Sequence, residues 1–555
     1  MIRLRLFGCL LCLVALPVGA ANPPAGACAT AHPLATAACI DTLAAGGTAF
    51  DAAVAASATL TVVEPFGSGL GGGGFFLLHR ARDRADFFVD GRETAPLAAT
   101  ADMYRDDSGK AIAKKSLTGM LAAAIPHQPA LLAHTAQRYG TRPLAVLLVP
   151  ALKAAREGFV IDGRLAGEIA RNHPRMDAAM RAVYAPQGQP LKTGERLVQA
   201  DLAATIERLG QNGAEEFRRG ETAKRMLAGV TAQGGIWSAK DLDAIRVVER
   251  QPLVGRYRGY RVVTAPPPSA GGAAILEALA MIDARGYRHL DDLGSKHLVI
   301  EALRRAYRDR NAHFGDPDFV QVPLRKLLST SYLRALAAGI GAQATPSSTL
   351  PAKDAGQEGG QTTHFSIIDA AGNRVAGTQS LNLFFGAAVM APGTGVVLND
   401  EMDDFSAATD ASNAYGLLGS EANAIAPGKR PLSTMAPTFA EGPNGVLVIG
   451  TPGGSRIASM VLLGLLRFTE GANAAEIVAS KRFHHQWLPD LVQFEPGGLS
   501  EEDQLALKAR GHQLKPLAEP YGNLQAVIWN ARTGALDAAA DPRWVGSAAT
   551  TLRQQ

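Results

Sequence analysis

The chain has 555 residues, of which 47% are hydrophobic and 19% are charged, and its formal net charge is +4. This is the composition of an ordinary globular protein, long enough to bury one large core or two smaller ones. The small net charge gives no indication of a nucleic-acid partner or of an acidic membrane surface as a binding target. The sequence also contains no internal repeat, heptad pattern or low-complexity tract.

The N-terminus has the pattern of a secretory signal peptide. Met1 to Arg5 form a short basic segment, Leu6 to Val18 form an apolar core, and small residues follow at the cleavage positions. The apolar core is shorter than a membrane-spanning helix requires. We therefore expect residues 1–21 to be removed, which leaves a periplasmic or secreted protein without a membrane span.

Two cysteines, Cys28 and Cys39, remain after this removal. In an oxidising compartment they could form a disulfide. Two buried free thiols are an equally good interpretation, because the spacing of two cysteines does not by itself fix their geometry.

Hydrophobic patterns predict several elements in the first part of the chain. Ala44 to Thr61 has apolar residues at helical spacing, which predicts a buried helix. Phe75 to Leu78 is typical of a strand, and the glycines before it indicate close backbone packing rather than a nucleotide-binding turn, because they open no helix. Residues 117–281 alternate amphipathic helices with short loops, and a second helical block runs from His297 to Ala312.

A β-hairpin is predicted after a polar, exposed segment at residues 347–360. Residues 362–368 alternate in character, with Phe365 and Ile367 on one face, which is the pattern of a strand. Turn residues follow, and Arg374 to Ser380 is typical of the returning strand.

The first residue of that hairpin is a candidate nucleophile. A threonine hydroxyl reacts poorly unless a base stands beside it, and a threonine at a chain terminus carries its own base in the free α-amine. Cleavage between Gln361 and Thr362 would create this arrangement. From this stretch alone, an ordinary hairpin with a surface hydroxyl is the simpler interpretation.

A second local pattern lies further along the chain. Gly445 to Gly450 is a continuous apolar strand that runs into Thr451 to Arg456, after which apolar residues take helical spacing from Ile457. A strand, two glycines and a helix N-terminus bring free N–H groups to one spot, which favours an anion-binding turn. A plain tight turn is the alternative.

Long motifs occur in a fixed order along nearly the whole chain, and together they are far more specific than any short pattern. They are Gly71–Phe75, Gly91–Pro96, Pro266–Gly272, Gly315–Phe319, Gln361–His364, Leu398–Ser406, Lys429–Met435, Thr451–Arg456 and Arg482–Pro489. In these motifs and their order the chain resembles the γ-glutamyltranspeptidases, also called glutathione hydrolases.

This resemblance implies a fold and an activity. The expected fold is the α+β N-terminal-nucleophile hydrolase fold, a four-layer αββα sandwich built from both subunits of a self-cleaved chain. The cut would fall before Thr362 and give a large subunit of residues 22–361 and a small subunit of residues 362–555. The enzyme would cleave γ-glutamyl amides such as glutathione through a threonine ester, and would pass the γ-glutamyl group to water or to an amino acid or dipeptide.

The resemblance also implies roles in catalysis. Thr362 would attack the γ-carbonyl with its own amine as general base. Ser380 would stand beside it, where the family commonly has a second threonine. The backbone N–H groups of Gly453 and Gly454 would hold the oxyanion.

Recognition of a γ-glutamyl group needs partners for its α-carboxylate and its α-ammonium. By resemblance, Arg92 would offer a bidentate guanidinium to the carboxylate. The other implied contacts are hydroxyl donors at Ser433 and Thr434, ammonium acceptors at Asn382, Glu401 and Asp404, and Tyr415 in a loop covering the pocket. Without the resemblance, Glu401 and Asp404 would be interpreted as a solvated acidic loop, and Arg92 as a surface ion-pair partner.

Two further features depart from the family pattern without removing a required group. Thr434 replaces a common serine, and Ile125 to Pro129 stands where a small, glycine-containing loop is usual. The sequence indicates no cofactor and no metal. His364, His484 and His485 lack zinc-site spacing, so we expect them to be hydrogen-bonded core residues.

Two alternatives remain open. Relatives that cleave glutaryl or cephalosporin-type side chains, or trim poly-γ-glutamate, share these motifs but tend to lack the loop over the glutamyl pocket. This chain retains that loop at residues 409–420, which favours small γ-glutamyl substrates. The other alternative is a secreted binding protein on the same fold that is never processed.

Overall fold

The computed structural model describes residues 23–551 except 110, 111, 113, 348–359, 407–412, 415, 416, 418, 419 and 531. The expected signal peptide and Tyr415 lie outside the described residues, as does most of the loop expected to cover the pocket. Within the described part of the chain, no helix is long and apolar enough to cross a membrane.

The strands are short and spread along the whole chain. They are β1 (Ala27–Thr30), β2 (Gly73–Arg80), β3 (Ala85–Gly91), β4 (Phe159–Val160), β5 (Arg196–Leu197), β6 (Val248–Arg250), β7 (Leu253–Tyr257), β8 (Tyr260–Thr264), β9 (Gly360–Ile368), β10 (Arg374–Leu383), β11 (Met390–Ala391), β12 (Val396–Val397), β13 (Thr438–Gly442), β14 (Gly445–Gly450), β15 (Phe483–His484), β16 (Val492–Phe494), β17 (Leu514–Pro516), β18 (Gln525–Asn530), β19 (Ala535–Ala540) and β20 (Ser547–Thr550).

The helices fill the intervals between the strands. They are α1 (Pro33–Ala44), α2 (Ala49–Val63), α3 (Gln128–Arg138), α4 (Leu144–Leu147), α5 (Val149–Glu157), α6 (Gly163–Asn172), α7 (Ala178–Tyr184), α8 (Ala200–Asn212), α9 (Glu215–Arg218), α10 (Glu221–Ala232), α11 (Ala239–Asp243), α12 (Gly271–Ala284), α13 (Leu293–His313), α14 (Leu324–Leu327), α15 (Thr330–Ala338), α16 (Ile457–Thr469), α17 (Ala474–Ala479) and α18 (Glu501–Ala509).

Two antiparallel sheets stack on each other between layers of helices. One sheet has the strand order β20-β1-β9-β10-β2-β3-β6, and the other has the order β19-β18-β14-β13-β8-β7. Helix α2 packs on the outer face of the first sheet, and α12 and α16 pack on the second. The predicted αββα sandwich is therefore confirmed, and strands from both sides of residue 362 contribute to each sheet.

The alternation of side chains along the strands explains the stacking. In β2, Phe76 and Leu78 join the core under α2, whereas Phe75 and Leu77 join the core between the sheets. Burial on both faces makes these strands continuous apolar runs. The predicted hairpin is also confirmed, since β9 pairs with β10 and Phe365 and Ile367 share the core under α2.

Three expectations need adjustment. The segment from Ala44 to Thr61 is divided, because α1 ends there and a turn at Gly46, with φ +80°, precedes α2. Residues 117–281 are not all helix and loop, since β6, β7 and β8 lie in them and β8 pairs with the distant β13. Cys28 and Cys39 are joined by a disulfide between β1 and α1, which decides between the two interpretations.

Candidate active site

The β9–β10 hairpin holds two hydroxyl groups together at its open end. Thr362 pairs in register with Ser380, and its Oγ1 donates a hydrogen bond of 3.1 Å to Ser380 Oγ. Ser380 Oγ also accepts 2.8 Å from the backbone N–H of Asn382, at an irregularity where Asn382 has φ +75°. Both hydroxyls are buried, so their separation is fixed by the strand register and by the bulge.

A buried glutamate is hydrogen-bonded to the residue that follows the candidate nucleophile. Glu64, at the end of α2, accepts a hydrogen bond from the hydroxyl of Thr363, the residue after Thr362. Burial raises the pKa of Glu64 to about 7, while the Thr363 hydrogen bond and the charge of Arg164 act in the opposite direction. The sequence analysis missed Glu64, because a single acid at a helix end carries no periodic signal.

Replacing Glu64 by glutamine is expected to change the pH dependence of folding stability. The native pKa of Glu64 lies above the unfolded value of 4.5, so the native state holds the proton more tightly. The parent should therefore lose stability as pH rises from 4.5 to 7, by about 3 kcal/mol relative to Glu64→Gln. Urea unfolding of both proteins at pH 5 and pH 8, each carrying Thr362→Ala, which is expected to keep the chain in one piece, measures this difference.

The matched control for this measurement is Glu207→Gln. Glu207 is an exposed partner of Arg156, so replacing it should leave the dependence of folding stability on pH parallel to that of the parent. The buried histidines titrate equally in all these proteins and cancel in the comparison. Parallel profiles for the parent and Glu64→Gln would show that Glu64 does not hold its proton more tightly in the native state.

The turn between β14 and α16 has the geometry of an anion-binding loop. Gly453 and Gly454 have φ values of +138° and +55°, a conformation that favours glycine. Their backbone N–H groups donate to no other group in the described part of the chain, since they precede the first turn of the helix. Gly454 lines the same cavity as Thr362.

A cluster of buried charges occupies the other side of this cavity. Arg92 follows β3 and is held by its N–H bond to Asp90. Its Nη1 lies 2.7 Å from Glu401 Oε2, and its Nη2 lies 2.6 Å from Asp404 Oδ2. The acidic loop is therefore not solvated: Glu401 and Asp404 lie against Arg92.

In this cluster, burial and the neighbouring arginine charge have opposite effects on the pKa values of the acids. Burial raises the pKa of Glu401 well above its usual range, and the Arg92 charge acts against this. Burial also raises the pKa of Glu93 to about 7, and both of its carboxylate oxygens lack a hydrogen-bond partner among the described residues. For both glutamates burial disfavours the charged form and the Arg92 charge favours it, so these acids are suited to binding a cation.

The cavity itself is small. It has a volume of about 20 Å³, which is room for one water molecule. Its lining includes the predicted residues Thr362, Ser380, Asn382, Arg92, Glu401, Asp404, Ser433, Thr434 and Gly454. This volume is too small for a substrate, so the lining must move on binding. If the Arg92 cluster separates, a zwitterion supplies the two charges that separation would leave unpaired.

The two other acids of the loop face away from the cavity. Asp400 accepts 3.0 Å from the N–H of Leu383, and Asp403 accepts 2.7 Å from the hydroxyl of Ser116. The short 3₁₀ helix at Glu401–Asp404 turns alternate side chains in different directions. This turn separates Glu401 and Asp404 from the rest of the charge run.

The loop at Ile125 to Pro129, which the sequence left without an explanation, supports the site. Ile125 bridges to Thr94, close to Arg92, and the N–H groups of His127 and Gln128 both donate to Gly72 O. The Gln128 side chain also donates 2.8 Å to Gln379, the register partner of Thr363. The loop thus ties the glycine-rich segment to the hairpin.

The three histidines considered as metal ligands lie in hydrogen-bonded core positions. His364 contacts Thr378 Oγ1 at 2.7 Å and is buried between the sheets. His484 contacts Ser459 Oγ at 2.9 Å, and His485 contacts Asp490 Oδ1 at 3.1 Å. The described residues contain no group of three or more histidine, cysteine or acidic side chains that could hold a metal ion.

Comparisons with known proteins agree with this geometry. The sequence model of the Gamma-glutamyltranspeptidase family matches residues 35–551. A glutathione hydrolase proenzyme from Pseudomonas sp. strain A14 is 41% identical over 92% of this chain and 90% of its own length. Another, from Escherichia coli K12, is 41% identical over 91% of this chain and 88% of its own length.

The fold comparison extends over the full chain. The crystal structure of a cephalosporin acylase from Bacillus halodurans is 28% identical, with a TM-score of 0.83, and covers 98% of this chain and 99% of its own. The acylase shares the overall fold, and the family match and the hydrolase relatives extend over most of the chain. This chain belongs to the γ-glutamyltranspeptidase family.

Proposed function

We propose that the protein is a self-processing γ-glutamyltransferase and glutathione hydrolase with Thr362 as its nucleophile. One observation carries the proposal: the Thr362 hydroxyl and the Arg92–Glu401–Asp404 cluster line the same small cavity. A hydroxyl alone would suit many hydrolases, but a cation beside two acids suits a substrate that carries both a carboxylate and an ammonium.

Maturation begins at the bond before Thr362. The Thr362 hydroxyl adds to the Gln361 carbonyl, and the amide C–N bond breaks as its nitrogen takes a proton. This leaves an ester on Oγ1 and a free α-amine on Thr362. Water then hydrolyses the ester, which restores the hydroxyl and ends the large subunit, residues 22–361, in a carboxylate. The contact with Ser380 supports this step, because it orients the hydroxyl before cleavage.

Turnover reuses the same hydroxyl. The new α-amine takes the hydroxyl proton as Oγ1 attacks the γ-carbonyl, and the N–H groups of Gly453 and Gly454 stabilise the oxyanion. The leaving amine departs with the proton and leaves a γ-glutamyl ester on Thr362. Water or the amine of an amino acid or dipeptide then attacks this ester and regenerates the enzyme.

Recognition depends on the charge cluster. The α-carboxylate replaces the acids at Arg92, with hydroxyl donors from Ser433 and Thr434, and the α-ammonium lies between Glu401 and Asp404, near Asn382. Tyr415 would cover the pocket. The positions of the described members of this set around one cavity support these roles.

The protein is proposed to act outside the cytoplasm after removal of residues 1–21. The Cys28–Cys39 disulfide supports this location, because disulfides persist in oxidising compartments. The small subunit would be residues 362–555, and the two subunits would remain interleaved in both sheets.

The proposal is tested by expressing the full chain and assaying it with glutathione, with and without a dipeptide acceptor. The expected result is two bands on a denaturing gel, Thr362 as the N-terminus of the smaller subunit, and release of cysteinylglycine. A γ-glutamyl dipeptide product should appear when the acceptor is added. A single uncut chain without turnover would favour the unprocessed binding protein instead.

A further inference from the structure

The cavity contains a second guanidinium that the motifs did not identify. Arg310, on α13, lines it together with Thr362 and Arg92, and is almost fully buried. Its Nη1 donates 2.9 Å to Asn311 Oδ1, and its Nη2 makes a long contact of 3.5 Å with Thr434 Oγ1. Its Nε has no hydrogen-bond partner among the described residues.

Arg310 differs from the other arginines of its helix in lacking an acid. Arg304 and Arg305 both pair with Glu301, at 3.0 and 2.7 Å, and Arg308 pairs with Asp309 at 2.9 Å. Within the described residues, no carboxylate lies within ion-pair distance of Arg310. Burial lowers the pKa of Arg310, and electrostatic interactions with Tyr307 and Asp404 act in the opposite direction.

The two guanidinium groups of the cavity are thus in different electrostatic states. Arg92 has Glu401 and Asp404 at its two nitrogens, whereas the buried Arg310 has no carboxylate of the described residues within ion-pair distance. A buried unpaired charge is unfavourable unless a ligand neutralises it. A ligand carboxylate bound on the side of Thr434 would lie where it can neutralise Arg310.

We propose that Arg310 is a specificity-determining residue that binds the α-carboxylate of the γ-glutamyl group together with Arg92 and the Thr434 hydroxyl. The inference rests on the proposed function and adds a contact to it. In this arrangement the carboxylate replaces the acids at Arg92 and also contacts Arg310, while Glu401 and Asp404 turn to the α-ammonium.

The test compares two anilides that differ only in the α-carboxylate. These are γ-glutamyl-p-nitroanilide and 4-aminobutyryl-p-nitroanilide, assayed with wild type, Arg310→Met and Arg310→Lys. Losing one partner of a buried charge pair should lower kcat/KM for the γ-glutamyl anilide roughly 10²- to 10³-fold in Arg310→Met. The loss should appear mainly in KM, because the carboxylate contact is the same in the ground and transition states.

The second anilide decides whether the contact is direct. On 4-aminobutyryl-p-nitroanilide, Arg310→Met should change kcat/KM less than threefold. Arg310→Lys should likewise lower kcat/KM for the γ-glutamyl anilide and not for the 4-aminobutyryl anilide, but by a smaller factor. Equal losses on both anilides in either variant would overturn the proposal, since Arg310 would then act only by positioning Thr434 or α13. Gel analysis of each variant identifies the matured fraction, to which rates are normalised.

The matched control is Arg308→Met, on the same helix but paired with Asp309 and half exposed. Arg308→Met should leave kcat/KM unchanged for both anilides. Failure of the proposed function has a different signature, because wild type would then turn over neither glutathione nor γ-glutamyl-p-nitroanilide. Wild-type turnover with no contrast between the anilides in the Arg310 variants rejects this inference alone.

Discussion

Thr362→Ala is expected to accumulate as one uncut chain with no γ-glutamyl turnover. The substitution removes the hydroxyl that we propose both cleaves the precursor and later forms the ester, so both reactions should be lost together. The fold should persist, because among the described residues the Thr362 side chain donates a hydrogen bond to Ser380 alone, and it adds little apolar burial. Denaturing gels, intact mass and a γ-glutamyl-p-nitroanilide assay measure the two losses.

Thr362→Ser is the control for this experiment. Serine keeps the hydroxyl and its contact with Ser380 but lacks the methyl that restricts the rotamer, so it should mature more slowly and remain active. Two subunits from Thr362→Ala would show that another residue performs the cleavage. Full turnover by an uncut Thr362→Ala chain would reject the nucleophile assignment.

The second large effect is discrimination between γ-glutamyl and glutaryl anilides. A glutaryl group lacks the α-ammonium, so it would separate Glu401 and Asp404 from Arg92 without offering them a cation. Sites that leave buried polar groups unpaired reject such analogues by roughly 10⁴-fold in kcat/KM. The wild-type enzyme should therefore prefer the γ-glutamyl anilide by about this factor.

Asp404→Asn and Asp403→Asn form a matched pair for this measurement. Asp404 contacts Arg92 in the cavity, so its neutralisation should lower the preference for the γ-glutamyl anilide. Asp403 bonds to Ser116 and faces away, so Asp403→Asn should keep the preference. Comparable kcat/KM on the two anilides for wild type would instead support the acylase alternative.

Much of the catalytic half of the site could be predicted from local sequence. The hairpin from Thr362 to Ser380 follows from period-2 alternation and turn residues, and it brings the two hydroxyls into register without distant contacts. The turn at Gly453 and Gly454 also follows from a strand, two glycines and a helix in sequence. These features depend on neighbours along the chain, which a single sequence displays.

The recognition half could be predicted only through family resemblance, and the contacts within it only from the tertiary structure. Nothing local distinguishes Asp404 from Asp403, or Arg310 from Arg308, because each pair has the same charge and nearly the same neighbours. Which member faces the cavity depends on the helix turn it occupies and on segments hundreds of residues away, such as Arg92 against Asp404.

The sequence by itself determined the family, the order of its motifs and the local elements that carry the hydroxyls and the glycine turn. The tertiary structure decided the Cys28–Cys39 bond, the strands β7 and β8, and the pairing of Arg92 with its acids. The reason is physical. Periodic burial records which face of an element meets the core, but charge pairing, edge strands and disulfides are set by long-range packing, which periodicity does not encode.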